Sequence, residues 1–340
     1  MEENSNCDII IPVWNMKELT EQCINSIIRY TKFPYRLILI DNASGDETKE
    51  YLESLSKRKD IDVLLIRNEE NLGFAKAVNQ GIRASNGEYV CILDNDTIAT
   101  DNWLTEMIEV AEKDKKIGIV SPLSNYGLKK PLSKSWEGIS HQIYKKNKGD
   151  YIETAAATGF CFLIKREVIE KAGLLSEVYG PGYFEDTEYC VRAIRNGYKI
   201  AIAQGAYVVH FEHSSFKKAG NFKELFDKNQ KLFYDEFGRS KRLLYILTGI
   251  RDFGLGQNAY TIAQNRNWIW VFLKRGINLD LPRHAYIKVF YLNNLFFQPS
   301  CIMRILKRKK KFDVIYSDSP SLSKKLDLLK TLHKAEVVCR

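Results

Sequence analysis

Short apolar runs rich in β-branched residues recur along the first third of the chain, and each is followed by turn residues and then by a stretch of helical periodicity. Runs of this length are typical of buried strands, and their alternation with amphipathic helices predicts an α/β fold with a mostly parallel sheet. The predicted strands are residues 8–13, 36–40, 63–66, 89–93 and 117–120. The predicted helices are residues 16–30, 46–57, 74–84 and 102–113.

The strand pattern restarts after residue 237, which suggests a domain boundary there. At 340 residues the chain exceeds the size at which a single hydrophobic core usually stops growing. We therefore predict a first domain at residues 1–238 and a smaller α/β segment at residues 239–340. A strand at 243–247, a glycine turn at 249–256, a helix and a strand within 312–319 make this segment look like an incomplete Rossmann-like half.

Positive charge is concentrated in the tail: residues 240–340 hold 19 Lys and Arg against 6 Asp and Glu, whereas the preceding residues hold 32 against 36. A solvated basic face explains this pattern, and contact with an anionic membrane surface is the alternative, notably for residues 290–311. No motif that reads RNA or DNA accompanies the charge, so nucleic acid is not a predicted partner.

Cysteine usage and the start of the chain predict a cytoplasmic location. Seven cysteines are scattered without the paired short spacing of zinc or thiol-exchange motifs, which is typical of reduced core thiols. The first six residues are polar and acidic, and no apolar run approaches the roughly 20 residues that span a bilayer. The inner face of the cell membrane is the alternative location, reached through the basic tail.

Two carboxylates separated by one residue, Asp94 and Asp96, follow the predicted strand 89–93. Side chains two positions apart on an extended chain point to the same side, so the pair can share one hard cation such as Mg²⁺ or Mn²⁺. Such ions keep coordination positions for substrate phosphates, and few protein carboxylates therefore suffice. The alternative, common for an isolated Asp-x-Asp, is a polar turn in which aspartate caps a helix.

A second acidic pair, Glu185 and Asp186, follows a glycine-rich segment and begins a predicted helix. A structural role as a helix cap would explain one of the two acids. The functional interpretation is that a carboxylate of this pair acts as a general base toward a hydroxyl group. Further on, His210 and His213 follow a predicted strand. One helix and one strand separate His210 from Asp186, so His210 is expected at the same end of the sheet. There it could bind a metal or contact phosphate; the alternative is a structural histidine.

Four polar segments leave the ends of predicted strands, at residues 12–15, 41–46, 68–74 and 94–97. Open α/β sheets bind ligands beyond the carboxyl ends of their strands, so a ligand site is expected here. A dinucleotide-dependent dehydrogenase would carry G-x-G-x-x-G after the first strand, but Pro12-Val13-Trp14-Asn15 stands there instead. The sequence therefore argues against this class of enzyme.

In order and spacing, six segments resemble the family 2 glycosyltransferases of the GT-A fold, in particular the bacterial rhamnosyltransferase-like and galactofuranosyltransferase-like branch. The resemblance spans residues 8–216. The segments are residues 10–15, 40–46, 71–81, 93–97, 184–192 and 209–215. It implies a GT-A sheet flanked by helices and transfer of a sugar from a nucleotide-diphosphate donor to a glycan or glycolipid acceptor.

The resemblance also implies a role for each matching residue. Asp186 would be the catalytic base, supported by Glu185. A divalent metal, Mg²⁺ or Mn²⁺, would be held by Asp94, Asp96 and His210, with His213 as the less favoured ligand. The donor would be bound by Pro12, Asn15, Asp41, Asn71, Asn79, Asp94 and Arg192, with Asp41 accepting a hydrogen bond from the pyrimidine ring.

The implied reaction is an inverting in-line displacement with a UDP- or dTDP-sugar donor, expected in cell-envelope polysaccharide synthesis. The alternative is a catalytically silent module that binds nucleotide sugar within a larger glycan-assembly protein. The tail weakly resembles the first half of a GT-B glycosyltransferase such as family 4. That fold needs a second half to bind its donor, so we predict that the tail has no catalysis of its own.

Overall fold

The computed structural model describes residues 6–125, 135–211, 222–249 and 253–339. Contacts between Cα atoms group the chain into two compact units. The first unit is Met1–Ile152 with Ala156–Phe237, and the second is Glu153–Ala155 with Gly238–Arg340. His213, the less favoured metal ligand, lies outside the described residues, as does part of the predicted glycine turn at 249–256.

The first part of the chain alternates strands and helices as the apolar runs predict. Its strands are β1 (Cys7–Val13), β2 (Tyr35–Asp41), β3 (Val63–Arg67), β4 (Tyr89–Leu93), β5 (Thr97–Ala99), β6 (Ile117–Leu123), β7 (Tyr151–Thr154), β8 (Cys161–Lys165) and β9 (Lys199–His210). Its helices are α1 (Lys17–Tyr30), α2 (Thr48–Ser56), α3 (Phe74–Ala84), α4 (Trp103–Ala111), α5 (Trp136–Asn147), α6 (Arg166–Ala172), α7 (Glu185–Arg195) and α8 (Phe222–Phe237). A short 3-10 turn covers Glu177–Tyr179.

These strands form one sheet with the order β3-β2-β1-β4-β8-β6-β9-β5, and β7 pairs with β9. Strands β3, β2, β1 and β4 are parallel, as are β6 and β9. Strand β8 lies between β4 and β6 and is antiparallel to both. The predicted α/β fold with a mostly parallel sheet is confirmed, and the carboxyl ends of β1, β2, β3 and β4 meet along one edge.

Alternate residues of the central strands pack against helices on opposite faces of this sheet. Ile9 and Ile11 of β1 belong to one core with Trp103 of α4. Ile10 between them belongs to the other core with Val78 of α3. Because successive side chains of a strand point to opposite faces, a strand covered on both sides is apolar throughout.

The second unit has its own five-stranded parallel sheet, ordered β12-β11-β10-β13-β14. Its strands are β10 (Arg242–Leu247), β11 (Trp268–Lys274), β12 (Ile287–Leu292), β13 (Val314–Ser317) and β14 (Glu336–Cys339). Its helices are α9 (Leu255–Gln264), α10 (Phe297–Leu306), α11 (Pro320–Leu328) and α12 (Lys330–His333). The predicted smaller α/β segment is thus confirmed as a second parallel sheet.

The segment at 290–311 contains α10, which buries Phe297, Cys301 and Ile305 in the core of the second unit. This is the arrangement of a core helix followed by basic residues. Among all the helices of the described ranges, none is both long and apolar enough to cross a bilayer.

Candidate active site

Two strand ends bring the predicted metal ligands together. Asp94 and Asp96 follow β4, and β5 directly after them pairs antiparallel with β9, with Thr97 opposite His210. His210 Nε2 consequently lies 3.5 Å from Asp94 Oδ2 and 3.2 Å from Asp96 Oδ1. One ligand atom from each residue falls within 4.8 Å of the others. Carboxylate and imidazole ligands about 2.0–2.2 Å from a shared ion are spaced in this way, so the three residues fit a divalent cation.

Phe160, which precedes β8, contacts both sides of this cluster. Its carbonyl accepts a hydrogen bond from the Asp94 N–H at 2.8 Å. Its ring stacks on the His210 imidazole with centroids 4.9 Å apart and planes inclined by 12°. The backbone of His210 is held as well, because its N–H donates to Asn125 Oδ1 at 2.8 Å and its carbonyl accepts from Asn125 Nδ2 at 3.0 Å. Phe160 and Asn125 therefore hold two of the three candidate ligands, Asp94 and His210, in place.

The second acidic pair begins α7. The Asp186 carboxylate accepts hydrogen bonds from the Gly159 N–H at 2.8 Å and from the N–H and hydroxyl of Thr187. Glu185 is buried, and its Oε2 has no hydrogen-bond partner among the described residues. The two neighbouring acids thus have different surroundings: Asp186 is oriented by three donors, whereas the buried Oε2 of Glu185 receives no hydrogen bond from the described residues.

Burial dominates the acid chemistry of this cluster. It raises the pKa of Asp94 to about 7, assisted by the Asp96 charge and opposed by His210. It raises the pKa of Glu185 to about 8, with the Asp186 charge acting in the same direction. The pKa of Asp186 is also raised by burial, while the Gly159 and Thr187 donors counteract the shift. Close carboxylates with such shifted pKa values are typical of functional sites.

Glu185→Gln is expected to change how stability depends on pH. The folded protein keeps the Glu185 proton up to about pH 8, whereas the unfolded chain loses it near the ordinary value of 4.5. The free energy of unfolding of the parent should therefore fall between these pH values, and the variant should lack this fall. Relative to the parent, the Tm of the variant should therefore rise by about 10 °C between pH 5 and pH 8, measured by calorimetry.

Glu188→Gln is the matched control for this prediction. Glu188 is buried on the same helix, but both of its carboxylate oxygens accept hydrogen bonds from Arg192, at 2.6 and 2.9 Å. Removing its charge leaves the guanidinium without its partner, so this variant should melt below the parent at every pH in the range. Parallel Tm curves for parent and Glu185→Gln would contradict the assignment of a buried, protonated Glu185.

A cleft of about 960 Å³ opens beside both acidic groups. Asp94, Asp96, Glu185, Asp186 and His210 all line it. On its other walls lie Pro12, Val13, Trp14, Asn42, Asn71, Leu72, Gly73, Phe74 and Lys76. The structure therefore brings the two acidic motifs, the histidine and the ends of β1 and β2 to one cavity.

Asp41 is the predicted contact of the pyrimidine ring, and its carboxylate is already engaged. Oδ1 accepts the Ser44 N–H at 2.8 Å, and Oδ2 accepts a hydrogen bond from Arg67. Arg67 lies opposite Asp41 in the pairing of β2 and β3. Sequence reasoning missed Arg67, although its position at the end of β3, just before the polar segment 68–74, was the available signal.

Asn71 lines the cleft as expected, in a network with Asn42. Asn42 Nδ2 donates to Asn71 Oδ1 at 2.9 Å, and Asn42 Oδ1 accepts from the Leu72 N–H at 3.1 Å. Gly73 is needed in this turn, because its φ is +83° and a Cβ there would lie 3.0 Å from the Pro181 Cα. Asn42 was not predicted as a site residue, although it stands in the strand-end segment 41–46.

Like that of Asp41, the side chains of Asn15, Asn79 and Arg192 do not line the cleft. Asn15 Oδ1 accepts the Gly45 N–H at 2.8 Å. The Asn79 amide donates to the Leu175 carbonyl and to Glu177, and its oxygen accepts the Leu175 N–H. Arg192 is bound by Glu188 and by the carbonyls of Ala172 and Leu174. In this structure these three side chains hold loops behind the cleft rather than facing it.

Comparisons with known proteins agree with this geometry. Residues 8–173 match the family model described as glycosyl transferase family 2. The uncharacterized glycosyltransferase EpsJ of Bacillus subtilis is 25% identical over 248 residues, which cover 68% of this chain and 70% of that protein. Three further curated relatives are matched over only 35%, 39% and 53% of their own lengths.

Two solved structures share the fold. A mannosyltransferase from Pyrobaculum calidifontis, in complex with GDP-Man and Mn²⁺, aligns with a TM-score of 0.50 at 20% identity, over 66% of this chain and 64% of that one. GalNAc-T7 with UDP, GalNAc and Mn²⁺ aligns with a TM-score of 0.55 at 19% identity, over 70% of this chain and 50% of that one. The first unit accordingly has the GT-A fold, and residues 8–173 of this chain form a glycosyltransferase family 2 domain.

Proposed function

We propose that this chain transfers a sugar, with inversion, from a UDP- or dTDP-sugar to a hydroxyl group of a glycan or glycolipid acceptor. The observation that carries the proposal is the single cleft lined both by the Asp94, Asp96 and His210 cluster and by Asp186. A sugar donor needs its diphosphate held next to the acceptor's base, and this cleft offers both kinds of group within one cavity.

The proposed donor site lies between the strand ends and the cluster. Pro12, Asn71 and Asp94 line the cleft and are assigned to direct contact with the donor. Asp41 is assigned to the pyrimidine ring, with Arg67 fixing its carboxylate. For Asn15, Asn79 and Arg192 the hydrogen bonds described above support an indirect role, in which they hold the loops that shape the donor site.

Asp94, Asp96 and His210 are assigned to a divalent metal, Mn²⁺ or Mg²⁺. The ion would supply positive charge against which the diphosphate group leaves, which removes the need for an acid on that side. The matched structures from the Pyrobaculum enzyme and GalNAc-T7 contain Mn²⁺, which supports this choice of ion.

Asp186 is assigned to the base that receives the proton of the acceptor hydroxyl. Its three hydrogen-bond donors hold the carboxylate in one orientation, and burial raises its pKa, which makes it a stronger base than an exposed aspartate. Glu185 would stay protonated at neutral pH and so adds no second negative charge. One base facing the acceptor is what an inverting displacement requires.

The biological setting is proposed from names of relatives. A Staphylococcus aureus relative, 28% identical over 121 residues, is named poly-beta-1,6-N-acetyl-D-glucosamine synthase, which supports a role in cell-envelope polysaccharide synthesis. The division into a catalytic domain at 1–238 and a tail without its own catalysis belongs to the same proposal. The cytoplasmic location and membrane contact through the basic tail stay predictions from the sequence.

A panel of UDP-, dTDP- and GDP-sugars tests the proposal. With Mn²⁺ present, at least one UDP- or dTDP-sugar should raise the Tm of the protein and should be split slowly with release of the nucleoside diphosphate. Chelation of the metal with EDTA should abolish both effects. Stabilisation without any release, even with acceptor glycans added, would favour the silent binding module over the enzyme.

A further inference from the structure

Helix α8 holds the segment that precedes the two acids of α7. The Asn229 side chain of this helix is buried, and its Nδ2 donates to the carbonyls of Tyr179 at 2.7 Å and Gly182 at 2.8 Å. The carbonyl of Tyr183 lies 3.4 Å from the same nitrogen. Because all three neighbours are acceptors, only the amide nitrogen can face them. One side chain thus fixes the backbone from the 3-10 turn to the residue before Phe184.

The segment fixed in this way has an unfavourable backbone conformation. Tyr183 has φ of 75° and Phe184 has φ of 78°, in the left-handed region that side chains other than glycine rarely adopt. Two such residues in succession persist only where surrounding contacts impose them, and they concentrate at functional sites. The next two residues are Glu185 and Asp186, so the direction in which α7 begins depends on this turn.

Aromatic packing supports the same turn from α8. The Phe184 ring lies 5.4 Å from Phe226 and 5.3 Å from Phe233, and the Tyr183 ring lies 5.7 Å from Phe226, measured between centroids. Phe226 also lines the cleft. Such contacts stabilise the turn, but they do not specify where its carbonyls point. That function falls to the Asn229 amide.

We propose that Asn229 is a positioning residue for Asp186. By binding the carbonyl oxygens of Tyr179, Gly182 and Tyr183, it holds Tyr183 and Phe184 in their left-handed conformations. It thereby sets the place where the Asp186 carboxylate enters the cleft. The inference rests on the proposed function in one respect, because it takes Asp186 as the base. It extends the active site to α8, which lies beyond residues 8–173 matched by the family model.

Two variants test the inference. Asn229→Ala removes the donors, and Asn229→Asp keeps the shape while placing carboxylate oxygens against carbonyl oxygens. Both should speed hydrogen exchange of a peptide covering residues 179–187. Both should also lower the rate at which the nucleoside diphosphate is released from the most active UDP- or dTDP-sugar of the panel, by about 10- to 100-fold, and Asn229→Asp should have the larger effect. The Kd for UDP in the presence of Mn²⁺ should stay within about twofold, because none of the residues assigned to the donor or to the metal belongs to this turn.

Leu55→Ala is the control, since Leu55 is a buried core residue of α2 that packs away from this turn. It should lower the Tm without faster exchange at residues 179–187 and without a comparable loss of rate. The inference is overturned if the Asn229 variants leave exchange of the turn unchanged, or if their rate falls no further than that of Leu55→Ala. A parent protein that releases neither UDP nor dTDP from any sugar of the panel would contradict the proposed function instead, and exchange of the turn would then decide the role of Asn229 alone.

Discussion

Asp186→Asn is expected to lower the rate of sugar transfer by about 100- to 10,000-fold, the range that general bases contribute. Asparagine has nearly the same shape but cannot take up the acceptor's proton. The affinity for UDP with Mn²⁺ should change little, because Asp186 is not one of the three cluster residues that fit the ion. Initial rates with donor and acceptor, together with calorimetric titration of UDP, measure the two effects separately.

Thr187→Val is the control for Asp186→Asn. It removes the hydroxyl that donates to Asp186 Oδ1 but keeps the carboxylate and the Gly159 and Thr187 N–H donors. We expect a much smaller loss of rate than for Asp186→Asn. Transfer at the parental rate by Asp186→Asn would remove Asp186 as the base and leave the cleft without an assigned proton acceptor.

Asp96→Ala is expected to weaken Mn²⁺-dependent UDP binding by more than about 100-fold. This effect is larger than the one expected from removing a residue that only hydrogen-bonds to a metal ligand. The variant keeps Asp94 and His210 but lacks the oxygen that lies 3.2 Å from His210 Nε2. Two remaining ligands hold a divalent cation poorly. Titration of UDP with Mn²⁺, repeated with EDTA, isolates the part of the binding that depends on metal.

Asp101→Ala provides the control for Asp96→Ala. Asp101 is an exposed acid a few residues further on that pairs with Lys32 on the surface at 2.9 Å. Its removal should leave UDP binding unchanged with and without metal. If Asp96→Ala retained the full Mn²⁺-dependent increase in affinity, the assignment of Asp94, Asp96 and His210 to the metal would be wrong.

The strands and helices of the first unit could be predicted because local patterns specify them. The apolar run 89–93 becomes β4 and the amphipathic stretch 74–84 becomes α3, each with the predicted bounds. The meeting of Asp94, Asp96 and His210 could also be foreseen, since each directly follows or ends a strand. A sheet joins strand ends that are far apart in the chain, and that rule needs no knowledge of the loops.

What escaped prediction depends on contacts between distant segments. Asn79 is 96 positions from Leu175, and nothing near it in the sequence indicates that its amide binds that loop. The antiparallel β8 is an apolar run like its neighbours, and only its partners β4 and β6 determine its direction. For Arg192, Glu188 of the same helix and the carbonyls of Ala172, at the end of α6, and Leu174 occupy the guanidinium that the family resemblance assigns to the donor.

The double contact of Phe160 has a consequence for which cation the proposed Asp94, Asp96 and His210 site would accept. Its carbonyl and its ring restrain Asp94 and His210 from one side, so the two cannot move apart readily. Ca²⁺ gathers about six to eight oxygens at about 2.3–2.6 Å, whereas Mg²⁺ needs about 2.0–2.1 Å and keeps its waters. Discrimination against Ca²⁺ would then depend on Phe160, although this side chain does not coordinate the ion. A smaller side chain at this position should make the site more tolerant of Ca²⁺.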